Sequence, residues 1–131
     1  MKNSKVLNIF LVVSGLLLTF IGGAQLFIPV AMKAGSGIDI AGNVDVLNDT
    51  RAAMGLVLSL GILTALGAFL PKLKFTSALI SPMVFLSMGI GRVLSMLVDG
   101  MPVDGLVKAT GLEFVLGIAG VVLFLLNREK Q

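Results

Sequence analysis

Four apolar stretches, each long enough to cross a lipid bilayer, divide this chain. They run over residues 6–28, 52–70, 75–98 and 106–126, and Pro29 and Pro71 close the first two. A hydrocarbon core of roughly 30 Å takes about 20 residues of helix at about 1.5 Å rise each. Lipid offers backbone N–H and C=O groups no partner, so each stretch is expected to satisfy them internally as a helix. The pattern predicts an all-α fold, a four-helix transmembrane bundle that forms one integral membrane domain over residues 1–131. Four crossings place both termini on the same side.

The longest non-apolar segment is the predicted outer loop, 29–50. It holds Gly35-Ser36-Gly37, Ala41-Gly42-Asn43 and three aspartates. Ile38, Ile40, Val44, Val46 and Leu47 are too frequent there for a solvated linker. A covering loop with one short interfacial helix or hairpin is expected, acting either as a functional lid or as a packed connector. Lys2, Lys5 and the apolar run after them resemble a secretory signal. The run continues through Leu26, Phe27 and Ile28, longer than a signal core, so a retained helix is expected.

Composition agrees with a membrane chain. Hydrophobic residues make up 56% and charged residues 13%, against about a quarter charged in soluble domains. The net charge of +3 does not point to nucleic acid, since the basic residues form no stripe and no aromatic platform accompanies them. Instead Lys2 and Lys5 precede the first run, Lys72 and Lys74 separate the second from the third, and Arg128 and Lys130 follow the fourth. By the positive-inside rule both termini are then cytoplasmic, in a multi-pass protein of the cell inner membrane. Asp39, Asp45, Asp49, Asp99, Asp104 and Glu113 fall on the outer half, and Glu129 alone lies inside. The chain has no Cys and no His, which excludes thiolate and ordinary zinc sites, bis-His haem and Ser-His-Asp chemistry. Neither a metal nor a cofactor is expected.

Small residues recur at helical spacing, as Gly15, Thr19 and Gly23 in the first helix and Ser87, Gly91 and Ser95 in the third. Each series steps by four and makes a stripe along which another backbone can approach. Packing within the bundle is the expected use; a dimer face is the alternative. Pro82 is expected to kink the third helix. The seven Met read as adaptable filling between helices.

Arg92 restricts the function most. A guanidinium at membrane depth must face protein or trapped water. Arg92 precedes the Gly100-Met101-Pro102 turn by eight residues, about 12 Å of helix. Glu113 follows that turn at similar depth, so an antiparallel hairpin can join the two. Asp99 lies two turns beyond Arg92 on nearly the same face. Arg51, with Asn48 and Asp49 before it, starts the second helix at the same outer surface. Arg51, Arg92, Glu113, Asp99 and Asn48 are therefore the candidate polar cluster. One reading makes it a strut that fixes helix packing; the other makes it an outward-opening pocket for an anionic or carbonyl-bearing group.

At these residues the chain resembles a bacterial family of small four-helix membrane proteins grouped as a domain of unknown function, and in layout it is distantly similar to the DoxX-like proteins. The resemblance is carried by Asn48-Asp49-Thr50-Arg51-Ala52-Ala53-Met54-Gly55, by Gly91-Arg92 with Asp99-Gly100-Met101-Pro102, and by Glu113 through Gly117. It implies a bundle in a bacterial inner membrane with Arg51, Arg92 and Glu113 as signature positions. It implies no activity. DoxX-like proteins accompany redox and quinone systems, which is an analogy of fold and not of site.

The function expected from the residues is binding of a membrane lipid or small amphipathic molecule in an outer-leaflet pocket, without catalysis. One alternative is an accessory subunit or homo-oligomer that docks a membrane partner protein. Another is a membrane-embedded enzyme with Glu113 as acid or base, though a single carboxylate without a second base or nucleophile is a thin catalytic set.

Overall fold

The computed structural model describes residues 1–129. It is helical almost throughout: α1 Lys5–Phe27, α2 Pro29–Ala34, α3 Val44–Leu66, α4 Lys74–Asp99 and α5 Asp104–Asn127, with a 3-10 turn, Pro71–Leu73, ahead of α4. α1, α3, α4 and α5 are each long and apolar enough to cross a membrane. The backbone amide of Lys2 donates to the carbonyl of Asn127 at 2.8 Å, so the start of α1 and the end of α5 lie at the same end of the bundle.

Local chemistry sets the helix ends. Ser4 caps α1, its Oγ accepting from the Leu7 amide, and Asn43 caps α3, its Oδ1 accepting from the Val46 amide. Each satisfies a first-turn donor that has no partner within the helix. Pro29 forces the preceding Ile28 out of helical geometry and then starts α2 at its first position. Gly100 ends α4 at φ +103, a conformation that side-chain-bearing residues rarely adopt.

α3 begins eight residues before the 52–70 stretch and ends at Leu66, short of Leu70. Hydropathy marks what sits in lipid, whereas the Asn43 cap and Asp45 in the first turn mark where the helix starts. About two turns of α3 thus precede the apolar stretch. The 29–50 segment contains the short helix α2, a turn and this first part of α3.

Consecutive membrane helices pair: α1 lies along α3 and α4 along α5, and α1 and α3 then pack on the second pair. The first seam is built on Gly15, Gly22 and Gly61. A Cβ on Gly15 would come within 2.5 Å of the Ala65 amide nitrogen, one on Gly22 within 2.5 Å of that of Leu58, and one on Gly61 within 2.5 Å of that of Thr19. Gly15 and Gly22 are seven residues apart, two turns, so the α1 stripe runs through them; a Cβ on Gly23 would meet only a Leu58 methyl, at 3.8 Å. In the second seam Gly89 faces the Phe114 ring, while Gly117 and Gly120 admit Leu86 and Pro82. Pro82 lies within a continuous α4 and is buried at this contact.

Apolar burial gives little association energy in lipid, so close packing and interhelical hydrogen bonds hold such bundles. Here Ser77 Oγ on α4 donates to the Leu63 carbonyl of α3 at 2.7 Å, and Ser81 Oγ donates to Ser14 Oγ of α1 at 3.3 Å. Leu18, Val57 and Phe85 form the central apolar cluster. Large apolar side chains point outward instead: Leu16, Phe20, Leu94 and Leu97 are all more than half exposed, as a lipid-facing surface requires. Ser87, Gly91 and Ser95 are exposed too, so the α4 stripe faces away from the bundle.

Candidate functional site

At the end of the bundle away from the termini, α2 and the turn after it lie over a cavity of about 190 Å³. All five helices contribute to it. Ile21 and Gln25 come from α1, Met32 and Lys33 from α2, Met54 from α3, Met88 and Arg92 from α4, and Leu106, Ala109 and Glu113 from α5, with Ser36 and Ile38 from the turn.

Arg92 and Glu113 meet inside it. Arg92 Nε donates to Glu113 Oε1 at 3.0 Å and to Oε2 at 3.1 Å. The carboxylate is 9% exposed and the guanidinium side chain 32%. Only the Nε edge of the guanidinium is engaged. An arginine carries five N–H donors, so four on the two Nη groups remain, and among the described residues none donates to a protein acceptor. Gln25 Oε1 is buried without a hydrogen-bond partner at the same cavity. Such a buried acceptor is costly unless something donates to it.

Lys33 is the second cation of the site. Burial, and secondarily the positive charge of Arg92, push its ammonium below the ordinary lysine value of 10.5. With Lys33 protonated, the cavity holds two cations and one carboxylate, an excess of one positive charge beside a soft wall of Met32, Met54 and Met88. Chemically it suits a small group that carries negative charge at one end and is apolar at the other.

The remaining expected residues lie elsewhere. Arg51 is exposed and its Nη1 donates to the Leu26 carbonyl at 2.5 Å. That carbonyl belongs to the last turn of α1, where acceptors lack helical partners, so Arg51 caps α1 from α3. Asp99 is exposed and accepts from Ser95 Oγ at 2.9 Å. Asn48 is exposed on the first turns of α3. None of the three lines the cavity, whereas Lys33 and Gln25, absent from the candidate cluster, do. Both stand out in the sequence only as polar interruptions near the end of the first apolar run; the approach of Gln25 to Arg92 depends on how α1 packs against the second pair, and that of Lys33 on α2 folding back. Among the described residues no group of three His, Cys, Asp or Glu side chains is placed to hold a metal ion.

No curated protein and no solved structure matches the chain. A family model does match, over residues 6–124, and this range contains the first three membrane-length apolar stretches and all but the last two residues of the fourth, together with Lys33, Arg92 and Glu113. The chain is a member of that family, described as Domain of unknown function (DUF4345).

Proposed function

We propose that this small multi-pass membrane protein binds the anionic end of a lipid or of a small amphipathic molecule in the cavity beneath α2. The observation that carries the reading is the half-engaged guanidinium. Glu113 holds Arg92 by Nε alone, and among the described residues the Nη groups have no acceptor, in a cavity that also receives Lys33 and the unpartnered Gln25 oxygen. A guanidinium edge grips a carboxylate or phosphate in bidentate fashion. Drug-sized ligands fill pockets of roughly 300–1,000 Å³, so about 190 Å³ fits a headgroup or a compact molecule. Glu113 serves here as the orienting group of Arg92, and no acid–base role is assigned to it. The basic residues at the termini face support cytoplasmic termini, which puts the cavity on the outer side of a bacterial inner membrane.

Native mass spectrometry in phosphatidylcholine nanodiscs, with dodecyl phosphate and dodecyl maltoside as probes, tests the reading. With Lys74→Gln in both the parent protein and its variant, to remove the basic cluster at the termini end as a competing anion site, the cavity should retain one dodecyl phosphate and discriminate against the maltoside. Arg92→Gln should lower that retention by about tenfold or more, the loss of one charge-assisted contact. Equal retention by the two proteins would overturn it.

A second reading draws on the outward α4 stripe of Ser87, Gly91 and Ser95. There the protein is an accessory subunit or homo-oligomer whose small-residue face docks another helix, and the Arg92–Glu113 pair only fixes α4 against α5.

A further inference from the structure

A second cationic site stands at the opposite end of the bundle. Lys74, the first residue of α4, is 6% exposed. Its Nζ donates to Asn8 Oδ1 at 2.7 Å and to Asn3 Oδ1 at 2.9 Å. Both acceptors are neutral, and among the described residues no carboxylate forms an ion pair with Lys74. Glu129, at this same end, is paired with the N-terminal amine at 3.4 Å. A buried ammonium held only by amide oxygens keeps a full uncompensated charge and a third N–H donor.

The space beside it has a definite order. A cavity of about 280 Å³ touches Lys74, Asn3, Asn8 and Pro71. Adjoining it, and sharing Asn3, Asn8, Ala68 and Phe69, a trench of about 550 Å³ passes Lys5 and runs on along Ile9, Val12 and Val13. Ile9 and Val13 are 56% and 54% exposed, so the trench opens sideways to the surroundings of the bundle. From Lys5 to Val13 is eight residues of α1, about 12 Å along the axis. Charge at the end of the bundle therefore passes into an apolar channel as depth increases.

We propose that this end of the bundle holds an anionic phospholipid, its phosphate on Lys74 and Lys5 and one acyl chain in the trench over Ile9, Val12 and Val13. Charge complementarity selects the headgroup, because Lys2, Lys5, Lys72 and Lys74 cluster at this end and such basic groups draw acidic lipids to the surface. The sideways opening selects a lipid over a solute, since an acyl chain reaches the trench from the bilayer itself. The site is independent of the cavity beneath α2 and shares no residue with it.

The test is retention of phosphatidylglycerol against phosphatidylcholine, measured by native mass spectrometry of protein released from mixed nanodiscs. Wild type should keep phosphatidylglycerol in preference to phosphatidylcholine. Lys74→Gln retains an amide donor for Asn3 and Asn8 but removes the charge, and should reduce the preference by about tenfold. Val13→Trp, on the exposed wall of the trench, should reduce it without touching the polar end, and decides the matter if Lys74→Gln fails to fold. In a separate arm, inorganic phosphate at millimolar concentration should leave the bound phosphatidylglycerol in place. An unchanged preference in the folded variants overturns the proposal, and so does displacement by inorganic phosphate, which would mark a site for free anion.

Discussion

Glu113 holds Arg92 by one edge, with Nε 3.0 and 3.1 Å from the two carboxylate oxygens and both Nη groups without an acceptor among the described residues. A strut alone and a strut that presents a binding edge differ in what they lose on mutation. Removing one member strands a charge, so Glu113→Ala should destabilise the bundle by about 3 kcal/mol. Replacing both with leucine should bring stability back to within about 1 kcal/mol of wild type, as buried pairs exchanged for apolar side chains usually do. In a Lys74→Gln background the double variant should nevertheless fail to retain dodecyl phosphate. Unfolding in mixed micelles followed by circular dichroism, beside native mass spectrometry, separates the two readouts.

Lys33 gives the anion site a pH dependence of defined sign. Its value is lowered from 10.5, first by burial and then by Arg92. The folded protein therefore releases this proton at lower pH than the unfolded chain does. Between the two values the unfolded chain binds more protons, so the stability contribution of Lys33 rises with pH across that window. Anion retention moves the other way, falling as the ammonium is lost. Titration of dodecyl phosphate binding should show the fall beginning below 10.5, and Lys33→Arg, which stays charged, should abolish it.

Gly61 and Gly91 should respond oppositely to the same change. A Cβ at Gly61 would sit 2.5 Å from the Thr19 amide nitrogen, and backbone cannot yield as a side chain can. Gly61→Ala should cost about 1–3 kcal/mol by forcing α1 and α3 apart. At Gly91 nothing lies within 4 Å, and Gly91→Ala should be neutral or stabilise by up to about 1 kcal/mol through helix propensity. Parallel denaturation curves of the two variants check this. A large loss at Gly91 in the bilayer, absent in micelles of monomer, would favour the docking reading of the α4 stripe.

Arg51 should matter for stability and not for binding. Arg51→Ala removes the cap on the Leu26 carbonyl, at a cost of about 1 kcal/mol for an exposed hydrogen bond. Dodecyl phosphate retention should be unaltered, and a parallel fall in retention would place Arg51 functionally with Arg92 in spite of its position.

The apolar runs made the four membrane helices legible, because lipid leaves the backbone one solution over such lengths. They did not mark the start of α3, which an asparagine cap sets well ahead of the apolar stretch. Arg92 and Glu113 could be paired on paper because both are rare at depth and a tight turn joins their helices. Lys33 and Gln25 could not be added, since Lys33 arrives only because Pro29 turns α2 back over the bundle, and Gln25 only through the packing of α1 against α4 and α5. The partner of Arg51 is a main-chain carbonyl, which no pattern of side chains announces. Small residues were visible on α1, but the stripe in use includes Gly22 and bypasses Gly23. That choice is made by the facing helix.

Pairing α1 with α3 and α4 with α5 also bears on biogenesis. A guanidinium entering hydrocarbon at the centre of a lone helix costs about 2.5–3.5 kcal/mol on insertion scales. The carboxylate that relieves Arg92 is supplied by the very next helix, 21 residues downstream. At about 5–20 residues per second of synthesis, the arginine waits a few seconds at most for its counter-charge to leave the ribosome. Both members of the ion pair thus belong to the second hairpin, and forming it takes no residue of the first.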